Sequence, residues 1–505
     1  MGLPLQSIDL IAPGFKGLNT EDSPLAQDPA FAEVADNAVI DKRGRIASRK
    51  GINVLTTNKT ELGTDHVHRI HHFYDEGGNE VIFSAGNNKI MTGTTTLTDA
   101  TPGSYSINAN NWKIVNFNNK AYFFQRGLEP LVYDNSTGLR TFGTATGATT
   151  ANSLKCNEVI AGYGRLWVAD NASEAQTVFW SDLLDGVDFT GGSSGSINVS
   201  KAWPDGHDVI VGLAAHNNLL VIFGEHSILL YQNADTPAVM SLVDTVSGVG
   251  CVDRNSIQSI GTDVLFLSNA GLRSLGRTIQ EKSLPLSDLS KNIKTELIIV
   301  IGAETQPIQS IYSPEQSFYL LCFPQQQTVF CFDLKIKLDN NSYRVTRWTS
   351  VGHKTFARDK DGTLYIGSAD GIGKYDGYRD NTSSYQFRYT SPGLTFGDPS
   401  KTKLVKKIRP TLVGLNEGTV FVRWAYDFST AFKNYEINIG NQTPAFFGVD
   451  EYGIGEFTGG LLVTRTSVQG TGNGGVVTIG IESSINGAVL SIQEINVLAL
   501  VGKTI

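Results

Sequence analysis

Half of the eight histidines fall in one short stretch, HVHRIHH, as His66, His68, His71 and His72. On an extended strand successive side chains alternate, so His66, His68 and His72 share a face with Ile70, and imidazoles gathered on one face are the start of a metal site. No carboxylate or cysteine motif completes the set, so the favoured reading is a polar strand face with no metal assigned. DKDG, Asp359 to Gly362, opens like a calcium loop, but that loop needs a third ligand and a glutamate at its twelfth position, where Asp370 stands out of register. A hairpin turn is expected there instead. GTGNGG, Gly470 to Gly475, is followed by the strand-like VVTIGIE, whereas phosphate cradles open onto a helix N-terminus, so a plain loop is expected.

The search for catalysis is otherwise empty. There is no G-x-S-x-G, no H-E-x-x-H and no Walker lysine, so the expectation is a protein that is not an enzyme, with no catalytic, cofactor-binding or metal residues. Paired carboxylates need no local motif, which leaves a propeller glycan hydrolase or glycan-binding protein as the alternative from another class. Four cysteines, Cys156, Cys251, Cys322 and Cys331, are too sparse for a disulfide framework and form no C-x-x-C pair. They read as buried thiols, Cys322 and Cys331 sitting in one hairpin.

One basic run stands out, KTKLVKKIRP, with Lys401, Lys403, Lys406, Lys407 and Arg409. If it is a strand, Lys401, Lys403, Lys407 and Arg409 share a face, giving either a solvated edge or a contact with a subunit or with nucleic acid. The chain as a whole carries 41 basic and 49 acidic residues, a net charge of −8, which disfavours tight DNA binding through many phosphate contacts.

The elements that must carry these residues follow from composition. With 53 glycines among 505 residues and only 18% charged side chains, the balance favours short strands joined by tight turns over helices. The middle of the chain repeats a unit of apolar strand, turn, alternating strand, Gly or Asn turn and short strand. Examples begin at His71, Trp112, Glu158, Val209, Ser256, Ile308 and His353, a spacing of about 40 to 55 residues that matches propeller blades. Five to seven blades are expected between about residues 66 and 384. Asn87-Asn88, Asn118-Asn119, Asn217-Asn218, Asp361-Gly362 and Asp370-Gly371 supply the hairpin turns.

Two segments read as helix: DPAFAEVADNAV, with Asp28 as cap and Pro29 at the first helical position, and LPLSDLSKNIKTELIIV, capped by Ser287 or Ser290 with Leu289, Ile293 and Leu297 on one face. From 385 to 505 the strands lengthen and the repeat is lost, which predicts a β-sandwich-like platform joined by strands from residues 1–65. The fold class expected is therefore all-β, a propeller with a sandwich platform. The longest apolar run, Leu297 to Ala303, falls well short of the roughly 18 residues of a membrane span, so no membrane-spanning segment is expected. The first residues lack the basic and apolar regions of a secretion signal, and Gln6 stands where a myristoylation motif wants Ser or Thr.

Three separated stretches resemble one family. The N-terminal FKGLNTEDSPLAQDPAFAEVADNAVIDKRGRIASRKGINVL, with Asn37, Gly44 and the Arg49 to Gly51 turn, is similar to the opening of the tail hub or nozzle proteins of short-tailed bacteriophages (podoviruses). LLVIFGEHSILLYQ with SGVGCVDRNSIQSIGTDVLFLSNAGLRSL resembles that family's central blades, and LTFGDPSKTKLVKKIRP with GAVLSIQEINVLALVGK resembles its C-terminal part. The resemblance implies a structural virion protein, made in the bacterial host cytoplasm. In that family a homo-hexameric nozzle docks on the tail adaptor, the head-to-tail connector below the portal. It closes the DNA-filled capsid, supports fibres or spikes, and passes double-stranded DNA non-specifically during ejection. Such a ring would carry six times the chain's −8, a charge that disfavours adhesion of DNA to its walls. Within it Lys401, Lys403, Lys406, Lys407 and Arg409 are the expected subunit or DNA contacts.

Overall fold

The computed structural model describes every residue except 1–4, 13, 146–153, 282–287, 416, 441–462 and 505. Among the described residues strands dominate, and five four-stranded antiparallel sheets, together with the first four strands of a nine-stranded sheet, are arranged as six propeller blades. Blades 1 to 4 follow one another, starting with inner strands Arg69–Tyr74, Lys113–Phe117, Cys156–Gly162 and Ile210–His216. Blade 5 starts at Gln309–Ser313 and blade 6 at Thr355–Arg358. Between blades 4 and 5 the place in the ring is filled by a three-stranded sheet, Gln258–Ser259, Val264–Ser268 and Gly271–Ser274.

The expected turn chemistry is present. Asn87, Asn88, Asn118, Asn119, Asn217 and Asn218 all adopt positive φ between 43° and 61°, the conformation a two-residue hairpin turn of this hand requires. Asp359 Oδ1 accepts hydrogen bonds from the N–H groups of Asp361 and Thr363 at 3.0 and 2.7 Å, so DKDG is a hairpin turn. Each radial sheet buries both faces against its neighbours. Phe73, Phe83, Ile114 and Phe123 pack blade 1 on blade 2, Trp167, Trp180, Leu213 and Ile222 pack blade 3 on blade 4, and Ile70, Met91, Ala357 and Ile372 pack blade 6 on blade 1. Each such aliphatic or Phe side chain contributes about 1.5–3 kcal/mol. Ring closure uses the N-terminal segment: Ile52–Val54 is the fourth strand of blade 6, with Tyr375 opposite Ile52 and Gly373 opposite Val54.

The platform is a sandwich of two sheets over one core. Leu5–Leu10, Ala38–Ile40, Ile46–Ser48, Lys401–Val413, Val463–Arg465, Val468–Gln469 and Ser491–Thr504 form a seven-stranded sheet. The second sheet is an extension of blade 5: beyond its outer strand Tyr343–Thr349 come Val34–Asp36, Tyr385–Thr390, Val477–Ile485, Gly418–Tyr426 and Lys433–Ile439, making nine strands in all. Val405, Ile408, Ile495 and Val497 from one sheet and Val422, Trp424, Ile479 and Ile481 from the other share a single apolar cluster. The strands from the first 65 residues thus serve both the platform and the propeller.

The segment after Asp28 is not the expected helix. Asp28 still caps, its Oδ1 accepting from the Ala30 N–H at 2.8 Å, but the cap leads into a turn and the short strands Phe31–Ala32 and Val34–Asp36. Val34–Asp36 lies between Tyr343–Thr349 and Tyr385–Thr390 and bridges them. Pairing on both sides outweighs helix propensities that differ by no more than about 0.7 kcal/mol per ordinary residue. The second helix is present as α2, Lys294–Ala303, and follows α1, Leu275–Glu281, which the sequence did not signal. Leu289, Ile293 and Leu297 are all buried. Ser287 lies outside the described residues, and Ser290 does not cap: its Oγ donates to Asp288 Oδ1 at 2.7 Å and accepts the Leu272 N–H at 3.0 Å.

Residues 37 to 51 weld the two parts. The Arg49 guanidinium, 1% exposed, makes a two-pronged pair with Asp380 at 2.8 and 2.6 Å, donates to Asn37 Oδ1 at 3.1 Å and lies 4.1 Å from the Tyr385 ring centre. Asn37 in turn donates to Thr349 Oγ1 and to the Gln386 carbonyl, touching blade 5 and the platform at once. Gly51 is required by contact, since a Cβ there would meet the Arg379 carbonyl oxygen at 1.8 Å.

Candidate functional site

The basic strand does not present the face expected of it. Lys401–Val413 carries a bulge between Val405 and Lys407, where the extra residue Lys406 inverts the alternation that follows, so Lys407 and Arg409 leave the face that holds Lys403 and Val405. Lys403 is fully buried, and its ammonium donates to the carbonyl oxygens of Asp398 and, at 2.7 Å, Gly475. Burial lowers its pKa. GTGNGG is accordingly the loop that wraps this lysine, with Gly474 exchanging backbone hydrogen bonds with Lys403. Lys401 pairs with Asp398 at 3.3 Å. Lys406 is exposed, Lys407 and Arg409 are half-buried, and none of these three has an ion pair with any described residue. A shared face of Lys401, Lys403, Lys407 and Arg409 is therefore corrected to a smaller surface of Lys406, Lys407 and Arg409.

The four histidines disperse. The strand begins at Arg69, leaving His66 and His68 in the loop before it, where His68 Nε2 lies 3.1 Å from Asp65. His72 turns between blades 6 and 1, its Nδ1 2.6 Å from Glu80 Oε1 and its ring 4.6 Å from that of Tyr365. His71 points the other way, toward Asn116 Oδ1 at 2.7 Å. The Asn116 amide is oriented by donating to the His72 carbonyl, so it is His71 Nε2 that carries the proton. Among the described residues, Asp208, Glu225 and His226 have ligand atoms close enough for a metal, but the Asp208 carboxylate already accepts three backbone N–H groups at 2.8 to 3.0 Å. All four cysteines are buried and unbridged, and burial pushes the Cys251 thiol up to about 12.

Charged and polar residues far apart along the chain meet in the middle of the propeller. A cavity of about 430 Å³ runs along the ring axis, lined by Arg69, His71, Lys113, Asn116, Asn255, Gln258 and Ser310, with Tyr74, Arg358 and Lys360 toward one end. Lys113 Nζ lies 3.2 Å from Glu158, whose other oxygen is 3.9 Å from Arg254. Arg254, only 3% exposed, reaches from the loop before the three-stranded sheet to the Asn111 carbonyl before blade 2, at 2.6 Å. Asp253 accepts the Asn255 and Ile308 N–H groups at 2.7 and 3.0 Å. The group thus holds three cations, Arg69, Lys113 and Arg254, among the carboxylates of Glu158 and Asp253, with the charge of Asp170 also reaching Arg254. Burial lowers the pKa of all three cations, bringing Arg69 to about 10 with help from the charge of Arg254. Burial also takes His71 down to about 4, so it is neutral near pH 7.

No family model matches the sequence, and no curated protein matches it either. Among solved structures, similarity extends to the extracellular domain of the hybrid two-component system BT4673 from B. thetaiotaomicron, at 11% identity and a TM-score of 0.39, covering 67% of this chain and 41% of that one. It extends also to the Neurospora crassa Pan2 WD40 domain, at 8% identity and a TM-score of 0.37 over 65% of this chain and 95% of that one. Kluyveromyces lactis Hsv2 gives 11% identity and a TM-score of 0.33, with 54% and 83% covered. The chain spans about two fifths of the first of these. What the ring of blades establishes by itself is the class: a β-propeller protein with an appended β-sandwich.

Proposed function

We propose that this chain is a structural subunit of a short-tailed phage tail, a nozzle protein that assembles as a homo-hexameric ring under the tail adaptor and surrounds the path of ejected DNA. The observation that carries the reading is the physical unity of the stretches that resemble that family. Ala38–Ile40 and Ile46–Ser48 pair in one sheet with Ser491–Thr504, which pairs with Lys401–Val413, while Ile52–Val54 closes the propeller. A wall that holds back packaged DNA has to be stiff, and a sheet running unbroken from blade into platform supplies stiffness. Lys406, Lys407 and Arg409 are the surface cations that would meet an acidic neighbour, and exposed Ile298 and Ile299 on α2 suit burial between subunits.

Electron microscopy and mass measurement of the purified chain test this reading. Six-membered rings of about six times 54.6 kDa are expected, with no sugar turnover. Charge reversal of Lys406, Lys407 and Arg409 to Glu should leave the melting temperature within a few degrees while blocking attachment to DNA-filled heads. A monomer or trimer that cleaves or binds glycans would overturn it in favour of the glycan-active alternative.

A further inference from the structure

Arg69 and Asn255 face the axial cavity with groups that the protein leaves unused. No described atom accepts a hydrogen bond from Arg69, and its buried Nε lacks any partner. Asn255 is 5% exposed, yet its side-chain oxygen and nitrogen both go unpaired while its backbone N–H donates to the capping carboxylate of Asp253. Leaving a buried polar group without a partner is costly, and more so for a guanidinium, so such groups in a cavity point to something that satisfies them. Glu158 does not, since its oxygens are turned to Lys113 and Arg254. The open groups are nitrogen donors: the forked guanidinium, the Lys113 ammonium and the Asn255 amide.

We propose that the axial cavity of the propeller binds a small phosphate monoester, its phosphoryl group held by Arg69, Lys113 and the Asn255 amide. The planar fork of an arginine matches two oxygens of a tetrahedral oxyanion, and an ammonium adds a point charge beside it. A bare phosphate fills only part of 430 Å³, a volume within the range of small-molecule sites. The remaining wall mixes hydrogen-bonding groups, neutral His71 with Asn116, Gln258 donating to the Ser310 carbonyl and Tyr74 with Arg358 and Lys360, with the apolar Ile311 and Phe356, and Asp359 stands among the cations at that end. That lining offers hydrogen bonds to a hydroxylated body such as a sugar and apolar side chains for the face of its ring. The site belongs to one copy of the chain and is independent of any ring assembly.

Calorimetric titration of the intact chain with ribose 5-phosphate, inorganic phosphate and ribose, at constant ionic strength and pH 7.5, tests this. Saturable one-to-one binding of ribose 5-phosphate is expected, weaker binding of inorganic phosphate, and none of ribose. Arg69→Gln should weaken ribose 5-phosphate at least tenfold. It should also match or exceed the parent's melting temperature in phosphate-free buffer, because it removes repulsion from Arg254 and Lys113. If Arg69→Gln does not fold, Lys113→Met carries the same tenfold expectation. Absence of saturable binding, equal binding of ribose and its phosphate, or undiminished binding by a folded variant would each overturn the proposal.

Discussion

At the scale of single residues, burial separates groups that look alike in sequence. His353 is 4% exposed, its Nε2 has no partner, and burial, reinforced by the charge of Arg49, lowers its pKa to about 3. In the unfolded chain the same group titrates near 6.5. Between those values the unfolded state takes up a proton that the folded state refuses, so this contribution to stability is fully present above about pH 6.5 and is lost as pH falls toward 3. The slope is about 1.4 kcal/mol per pH unit within that window. His71 acts in the same direction down to about 4. His353→Phe should therefore show a smaller drop in urea midpoint between pH 7 and pH 4.5 than the parent, and an unchanged drop would refute the assignment. The basic strand shows why residue chemistry was only partly legible: Lys403 reads as one more surface cation but shares the buried face of Val405, and the bulge at Lys406 turns Lys407 and Arg409 to the other side. In HVHRIHH the histidines drew attention, whereas the arginine among them faces the cavity. Lys113 begins blade 2 while the neighbours Arg254 and Asn255 lie in the loop before the three-stranded sheet, and no local spacing announces that a ring will bring them together.

At the scale of elements, the propeller strands were legible because their turns carry their own chemistry. Paired asparagines at positive φ mark three of the hairpins without any tertiary information. The segments that failed are those whose state is set by distant partners. Val34–Asp36 is a strand only because blade 5 and the platform both pair with it, and Ile52–Val54 is three residues long and is recruited by Gly371–Tyr375 from the far end of the propeller. That closing strand is a weak point with a large consequence. Ile52 is 8% exposed and packs with Phe356, Ile366 and Tyr375. Ile52→Asp should place a carboxylate in this cluster, cost about 3 kcal/mol, and release the strand. Limited proteolysis should then cut near residues 50–58 faster than in the parent, and an equal cleavage rate would show that the strand is not what closes blade 6.

At the scale of the whole molecule, the question is whether propeller and platform are two bodies or one. Three seams join them. The nine-stranded sheet passes from Tyr343–Thr349 through Val34–Asp36 into the platform, where Arg347 holds Asp36 at 2.8 Å and also pairs with Glu296 of α2. The largest apolar cluster is continuous from Leu265 and Tyr319 in the propeller to Ile481 and Val497 in the platform. Arg49 ties Asp380 and Asn37 beneath them. Opening any one seam exposes the others to water, so the free energies of the two parts are not separable, and calorimetry should record one unfolding transition for the entire chain. Arg49→Met removes a fully buried cation and leaves Asp380, which is partly solvated, to rehydrate. The expected loss is about 3 kcal/mol, at the low end for a broken buried pair, and it should shift the single transition downward without splitting it. Two transitions in the parent would mean that the shared sheet is a hinge at Val34–Asp36. Two transitions only in Arg49→Met would assign the coupling to that one guanidinium and not to the sheet.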